Sequence, residues 1–318
     1  MAFGTDHIIA SEVPNFIPEL WSDEVVAAYK KNLVLANNVR KLNHRGKKGD
    51  TIHVPTPSRA AANSHTEQNL VTFISHGTDS GVDILINKHY EYSRLVEDIV
   101  DVQALASLRS FYTDDGGYAI AKEVDTQLIL EGLRADATIT TVTAGIVQDD
   151  MDVTGTIYEG DGTTWDQSAT STDLSDAGVR TMIKALDDVD APMAGRVMVV
   201  PTIVKKDLLG LARFTEQAFV GETGSGNTIR NGLIGDVYGM EVFVTTNLPE
   251  IDDSAGAAQV QLFQMYQKDA LVLVEQLGVR SQSQYKQEYL ADLFTVDMIW
   301  GNKIVRPTSF LNGVVPTT

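Results

Sequence analysis

Two strand-like runs, Asp50-Thr51-Ile52-His53-Val54-Pro55 and Val82-Asp83-Ile84-Leu85-Ile86-Asn87-Lys88-His89-Tyr90, are separated by residues 56–81, a polar stretch rich in Ser, Thr, Asn and Gly. If the runs pair, they make a hairpin whose far end has almost nothing to bury. A two-stranded ribbon is marginal in water without a third strand or a helix behind it. Such a segment cannot be the inside of a compact globule. Alone it would be a mobile surface loop, and any fold for the chain has to accommodate it.

The rest of the chain reads as interleaved helices and strands. Residues 1–20 are punctuated by Pro14 and Pro18 and read as extended. Ser22 is an N-cap for a short helix with Asp23 and Glu24 first and Lys30 last, the order that the helix dipole favours. A basic run follows, Arg40, Lys41, Arg45, Lys47 and Lys48, with no acid between Glu24 and Asp50. It is either a solvated loop or an arm laid on an acidic neighbouring subunit. From about Asp98 to Arg134, Leu105, Leu108 and Phe111/Tyr112, then Ile120, Val124 and Leu128, recur at helical spacing. Asp114-Asp115-Gly116-Gly117 interrupts this run. Each glycine costs about 1 kcal/mol against alanine in a helix, so the reading is a kinked helix or two placed end to end. A helix of ~30 residues would reach roughly 45 Å.

Residues 136–172 hold no Lys or Arg and read as a β-hairpin or irregular acidic insertion at an edge. Asp173 then caps a helix from Leu174 to Leu186, with Val179, Met182, Ile183 and Leu186 on one face. Val197–Val200 is an apolar strand, and Pro201 opens a helix from Thr202 to Gln217. Strands follow at Val242–Thr246, Leu262–Tyr266, Ala270–Val274, Phe294–Trp300 and Lys303–Val305. This mixture predicts an α+β protein, and no internal repeat is present.

Composition narrows the function. A chain of 318 residues with 43% hydrophobic and 21% charged residues is long enough for a real core. No stretch approaches the ~18 uninterrupted apolar residues of a membrane span, and no membrane partner is expected. The first residues, Met1-Ala2-Phe3-Gly4-Thr5-Asp6, lack the basic and apolar regions of a signal peptide. With no cysteine there are neither disulfides nor thiolate metal sites. The expectation is synthesis in a cytosol. The net charge of −18 is uneven: +2 over residues 1–60, −7 over 61–135, −10 over 136–190 and −3 over 191–318. Gripping DNA phosphates requires a basic face, so DNA would be touched weakly and without sequence preference.

Motifs for chemistry fall short. Gly221-Glu222-Thr223-Gly224-Ser225-Gly226-Asn227-Thr228 has the glycine spacing of a phosphate-binding loop, but Asn227 stands where the lysine must reach the phosphates. Asp150-Met151-Asp152-Val153-Thr154-Gly155, with Asp161, is near a calcium loop, yet its flanks are β-like and the bidentate Glu is missing. All six histidines, His7, His44, His53, His65, His76 and His89, lie in the first 90 residues without zinc-ligand spacing, although His53 and His89 sit on the two strand-like runs. No nucleophile elbow is present, and the carboxylates are too numerous for one pair to stand out. The pairs Tyr90/Tyr92 and Tyr285/Tyr289 have no basic stripe beside them and read as packing. No catalytic, cofactor-binding or metal-ligating residue is therefore assigned, no cofactor is expected, and the protein is read as not an enzyme. The loops at Asp150 and Gly221 are the footholds for the alternative, a nucleotide- or metal-dependent enzyme.

Gly232, Gly235 and Gly239 lead into a strand, Met240 to Thr246, that ends at Asn247-Leu248-Pro249, and Gly301-Asn302-Lys303-Ile304-Val305-Arg306-Pro307 follows near the end. With this order of elements from about Trp21 to Leu311, the chain resembles the major capsid proteins of tailed double-stranded-DNA bacteriophages, which have the Hong Kong ninety-seven-type shell fold. The resemblance implies an N-terminal arm (1–49), an extended hairpin loop (50–92), a peripheral domain with a long spine helix and the acidic insertion (93–174), an axial domain (175–290) and C-terminal strands returning to the peripheral domain (291–318). It implies self-assembly through pentamers and hexamers into an icosahedral shell in the virion, made in a host bacterial cytoplasm. Because shell-like elements begin by about residue 20, a separate scaffolding protein is expected, with a portal and a decoration protein as further partners. Arg40, Lys41, Arg45, Lys47 and Lys48 become candidates for contact with neighbouring subunits. A related cellular compartment, an encapsulin, is the nearest alternative. Some members cross-link a Lys to an Asn, but nothing here assigns a pair.

Overall fold

The computed structural model describes residues 33–46, 48–56, 62–65, 67–68, 70–71, 73, 80–98, 108–133, 157–165, 171–211, 235–252 and 259–317. The helix expected from Ser22, the loop at Gly221 and most of 136–172 lie outside the described residues. In chain order the strands are β1 (Arg40–Asn43), β2 (Thr51–Thr56), β3 (Ser80–Leu85) and β4 (Lys88–Glu97). Helix α1 (Leu108–Leu133) and β5 (Ile157–Glu159) come next, then α2 (Asp176–Asp188), β6 (Arg196–Val200) and α3 (Thr202–Gly210). The chain continues through β7 (Asp236–Val237), β8 (Met240–Val244), β9 (Glu250–Asp252), β10 (Gln259–Gln267), β11 (Leu271–Lys286), β12 (Ala291–Ile304) and β13 (Phe310–Pro316). This is the α+β mixture the sequence predicts.

Three sheets organise these elements. A four-stranded sheet runs β1-β11-β12-β4, with β1 parallel to β11 and the remaining pairs antiparallel. A seven-stranded sheet runs β5-β13-β10-β6-β8-β7, with β9 also on β10, and β2–β3 is a separate two-stranded ribbon. Helix α1 lies on the four-stranded sheet and reaches β13 of the larger one, and their shared core includes Leu128, Leu133, Leu271, Leu273, Phe294 and Trp300. A second core, with Val179, Met182, Met198, Val200, Phe263 and Met265, lies under α2 and α3 on the far face of the seven-stranded sheet. Strand β6 is buried at every position, Val197 and Val199 toward the first core and Met198 and Val200 toward the second. A strand covered on both faces needs an unbroken apolar run, and Val197–Val200 supplies it. Strand β11 is divided likewise: Leu271 and Leu273 face α1, whereas Val272 and Val274 join Ile84 and Ile86 in a small core at the ribbon base.

Several expectations are corrected here. The run Val82–Tyr90 is two strands: β3 pairs with β2 up to Leu85, and β4 starts at Lys88 on β12. Ile84 and Ile86 anchor the ribbon base, and the residues that follow enter another sheet. The Asp-Asp-Gly-Gly segment does not divide α1, which is one helix of 26 residues and about 39 Å along its path. A Cβ at Gly116 would sit 2.9 Å from Tyr92 Cδ1 and 3.0 Å from Val296 Cγ2. That glycine lets the helix close on the sheet, and the saving in space offsets its low helix propensity.

The N-cap of α2 is Ser175 rather than Asp173, its hydroxyl accepting from Gly178 N at 3.0 Å. Leu174 is buried and Ser175 N donates to Gly160 O at 2.9 Å, so the chain is still tied to its neighbour where the helix was expected to begin. Pro201 is the N-cap of α3, and that helix ends at Gly210 with Leu211 extended, short of Gln217. The last two predicted strands are one, β12, which passes through Gly301 because a Cβ there would run into Leu85 O and come within 3.0 Å of Ile86 Cα.

Candidate functional site

About two turns of α1, from Asp125 to Gly132, collect polar contacts from both larger sheets and from the turn before β1. Asn247 Nδ2, at the end of β8, donates to Thr126 Oγ1 at 3.2 Å. Asn302 Nδ2 on β12 donates to Gln127 O at 2.8 Å, and Lys88 Nζ on β4 donates to Gln127 Oε1 at 2.8 Å. From β10, Gln264 Nε2 reaches Ile129 O at 3.1 Å and Asn312 Oδ1 at 3.2 Å, while Asn312 Nδ2 on β13 donates to Gly132 O at 3.1 Å. The buried Glu131 accepts from Ile304 N at 3.3 Å and pairs with Lys303 Nζ at 3.7 Å. Gly132 O is among the last four carbonyls of the helix, which lack intrahelical donors, and Asn312 fills that need. Gln127 O and Ile129 O take their side-chain amides as second donors, using the spare lone pair of each carbonyl. The two motifs Asn247-Leu248-Pro249 and Gly301-Asn302-Lys303 thus dock on the same segment of one helix.

The arm root is fixed at the same place. Residues Leu35–Asn37 form a 3-10 turn whose Ala36 N donates to Asp125 Oδ1 at 3.1 Å, and Leu35 is fully buried. Asp125 is itself fully buried. Desolvation pushes its carboxyl above the ordinary range, opposed by the amides of Ala36, Val34 and Leu35 and by the nearby Asn247. Sequence reading missed Asp125, Glu131, Gln264 and Asn312. The available signal is an ionisable or amide side chain at a core position: Asp125 stands three and four residues before the buried Leu128 and Ile129, and Gln264 lies between Phe263 and Met265.

The five basic candidates divide. Arg40 and Lys41 are exposed on β1, and Lys41 Nζ donates to Asn37 Oδ1 at 3.4 Å. Arg45 pairs with Glu275 of its own chain at 2.5 Å and lies over Gly278. Lys48 is exposed, and Lys47 lies outside the described residues. His53 and His89 are not neighbours on paired strands: His53 Nδ1 is 2.5 Å from Asp83 Oδ1 on β3, and His89 Nε2 is 3.3 Å from Asp297 Oδ2 on β12. Arg280 also grips Asp297 through Nε at 2.7 Å and Nη2 at 2.9 Å, and this fork holds the carboxyl below its ordinary range.

Asp161 accepts from Thr163 N at 2.8 Å and from Thr163 Oγ1 at 2.6 Å, so its carboxylate closes a turn, while Asp150 and Asp152 lie outside the described residues. Among the described residues no cluster of three or more His, Asp or Glu could hold a metal ion, and no helix is long and apolar enough to cross a membrane. Tyr90 stacks on Trp300 with centroids 5.0 Å apart, and Tyr285 donates to Asp98 Oδ2 at 2.7 Å.

The architecture is that of solved phage capsids. A structure from Mycobacterium phage Che8 is similar with a TM-score of 0.70 and 24% identity, covering 94% of this chain and 97% of that one. The capsid of cyanophage P-SCSP1u matches with a TM-score of 0.71 and 15% identity over 96% and 95%. That of Ralstonia phage GP4 matches at 0.70 and 13% over 99% of both chains. No match was found among curated proteins. The described fold is therefore the Hong Kong ninety-seven-type shell fold. The phage capsid protein family matches residues 101–297, more than half of the chain, a span that includes the α1 segment and the Asn247-Leu248-Pro249 corner. The chain belongs to the phage capsid protein family.

Proposed function

We infer that the chain is a structural major capsid protein, copies of which self-assemble into an icosahedral shell that encloses phage double-stranded DNA. The observation that carries this is fold-wide likeness to capsids together with family membership. The ribbon supports it: Leu70 and Phe73, on the connection between β2 and β3, are 95% and 92% exposed, and large apolar side chains of this kind gain by meeting another surface. In this reading pentamers and hexamers are the assembly units. Residues 1–49 are the arm and 50–92 the extended loop, both reaching neighbours. Residues 93–174 and 291–318 make the peripheral domain, and 175–290 make the axial domain around the symmetry axes. Many modest, repeated interfaces then add to a firm shell. A separate scaffolding protein, a portal and a decoration protein are the further partners, the site of synthesis is the host cytoplasm, and the acidic surface keeps contact with DNA weak. The protein acts by assembling, with no catalytic step.

The test is negative-stain electron microscopy of the purified chain, alone and with a scaffolding protein. Closed shells, or rings of five and six, are expected; a persistent monomer under both conditions would overturn the reading. A charge-reversed variant, with Arg40, Lys41, Lys47 and Lys48 all changed to Glu and Arg45 kept for its pair with Glu275, is expected to stay folded by circular dichroism and to lose assembly. Normal shells from it would remove the basic run from the interface.

A further inference from the structure

The β2–β3 ribbon leaves the four-stranded sheet by two roots. On one side only Ile86 and Asn87 join β3 to β4, and on the other residues 44–50 join β1 to β2. At the ribbon base Ile52, Val54, Ile84 and Ile86 pack with Val272 and Val274 of the sheet. Apolar contact is non-directional, so with the short root as a pivot it leaves the ribbon free to swing. The long root must then set the direction, and by itself it is poorly suited to that. Gly46 and Gly49 stand at φ of 74° and 129°, where glycine is at ease and the chain is otherwise loose.

An irregular stretch of β11 steadies this root. The register of β11 on β12 slips between Glu275 and Leu277 and again between Leu277 and Arg280, which puts two extra residues on β11. Bulges of this kind re-aim side chains and free backbone groups from the ladder. Glu275 O accepts from His44 N at 3.0 Å, and Gln276 Nε2 donates to Gly49 O at 2.9 Å, so the root is tied near both ends. Between them, Arg45 N donates to Asn43 Oδ1 at 2.9 Å while its guanidinium meets Glu275 Oε2 at 2.5 Å. Gly278 makes the room, since a Cβ there would lie 2.8 Å from Arg45 Nη2 and 2.9 Å from its Cζ. An exposed ion pair adds little stability. A planar guanidinium seated where a side chain is missing nevertheless fixes an orientation.

We propose that Arg45 is a positioning residue: seated on the Glu275–Gly278 bulge, it brackets the long root and sets the direction in which the ribbon leaves the sheet. Its work is then inside its own subunit, unlike that of the exposed Arg40, Lys41 and Lys48. That the aimed ribbon meets a neighbour rests on the function inferred above. The bracket itself belongs to one subunit and is measured there, so it stands or falls whether or not the chain forms shells.

The chain has no cysteine, so nitroxide labels on Pro55→Cys, exposed on β2, and Lys122→Cys, exposed on α1, report the ribbon's direction in the full-length, unassembled protein by double electron–electron resonance. Pro55 lies about 17 Å along the ribbon from Asp50, so a swing of about 20° moves its label by roughly 6 Å. The labelled parent is expected to give one narrow distance distribution. Arg45→Gln, and Gly278→Ala, which closes the recess, should each broaden or shift it by several ångströms and leave the urea midpoint close to the parent's. Adding Glu275→Gln to Arg45→Gln should change nothing further, because the two side chains act as one unit. A distribution in Arg45→Gln that matches the parent's would overturn the proposal, whatever Gly278→Ala does. So would a parent distribution that is already broad, further broadening in the double variant, or a broadening that comes with a large fall in the urea midpoint, the mark of general loosening.

Discussion

Gly116 and Gly117 are adjacent in α1, equally poor as helix formers, and opposite in what surrounds them. Replacing either with alanine removes a helix penalty of about 1 kcal/mol. At Gly117 nothing lies within 4 Å of the new Cβ, so Gly117→Ala is expected to stabilise the chain by about 0.5–1 kcal/mol. At Gly116 the methyl would meet Tyr92 Cδ1 at 2.9 Å and Val296 Cγ2 at 3.0 Å. Neither neighbour is a loose end. Tyr92 OH donates to Asp115 Oδ2 at 2.9 Å, with Arg94 stacked over its ring at 5.5 Å, and Val296 is buried in β12. Overpacking of this kind costs about 1–3 kcal/mol. Set against the helix gain, Gly116→Ala should be destabilising by about 0–2 kcal/mol. The pair should therefore separate by roughly 1–3 kcal/mol in urea unfolding of the unassembled chain, with Gly117→Ala above wild type and Gly116→Ala at or below it. Equal gains from both would refute the packing argument, because the helix could then lift off the sheet at no cost.

At Gly301, alanine would place a methyl against Leu85 O and 3.0 Å from Ile86 Cα, both backbone, so the base of the ribbon must move. Gly301→Ala is expected to cost about 1–3 kcal/mol and to speed exchange of the Ile86 amide, which donates to Asp50 O at 2.7 Å. Exchange at Ile86 matching wild type would show that the ribbon does not rest on that glycine. For the Arg280–Asp297 fork the sign runs the usual way for a depressed carboxyl: its stabilisation is present above the ordinary carboxylate range and lost as the pH falls through the lowered value. Arg280→Gln should therefore lower the urea midpoint at pH 7 and converge with wild type in strong acid. A deficit that persists unchanged at low pH would mean that guanidinium packing, and not charge, is responsible.

The fold class and most elements were legible because their signals are local. Apolar runs such as Val197–Val200 and helical spacing such as Ile120, Val124 and Leu128 declare themselves within a few residues. What failed to show depends on neighbours distant in sequence. The glycine pair looked like a break because the side chains that need the room, Tyr92 and Val296, are 24 and 180 residues away. Strand β12 looked like two strands because Gly301-Asn302 reads as a turn until Leu85 is seen against it. The site was harder still. The basic run advertises itself by composition, yet Arg45 is paired within its own chain, whereas Asp125 and Gln264 look like ordinary polar residues until the arm and both sheets close over them.

The two motifs that carried the likeness to capsids turn out to share a physical task. Asn247 reaches Thr126, Asn302 reaches Gln127 O, Lys303 and Ile304 reach Glu131, and Asn312 reaches Gly132 O, so two sheets and the arm root all take their position from eight residues of one helix. These contacts fix direction more than they add stability, since a neutral hydrogen bond is worth only about 1 kcal/mol net, while a lost partner strands a buried group at about 1–3 kcal/mol. A subunit that must fit the same neighbours many times over needs its sheets held at one mutual angle, because a small error at one interface recurs at every copy. Apolar packing alone, which tolerates sliding, does not set such an angle. Directional amide-to-carbonyl contacts on a single rigid helix do.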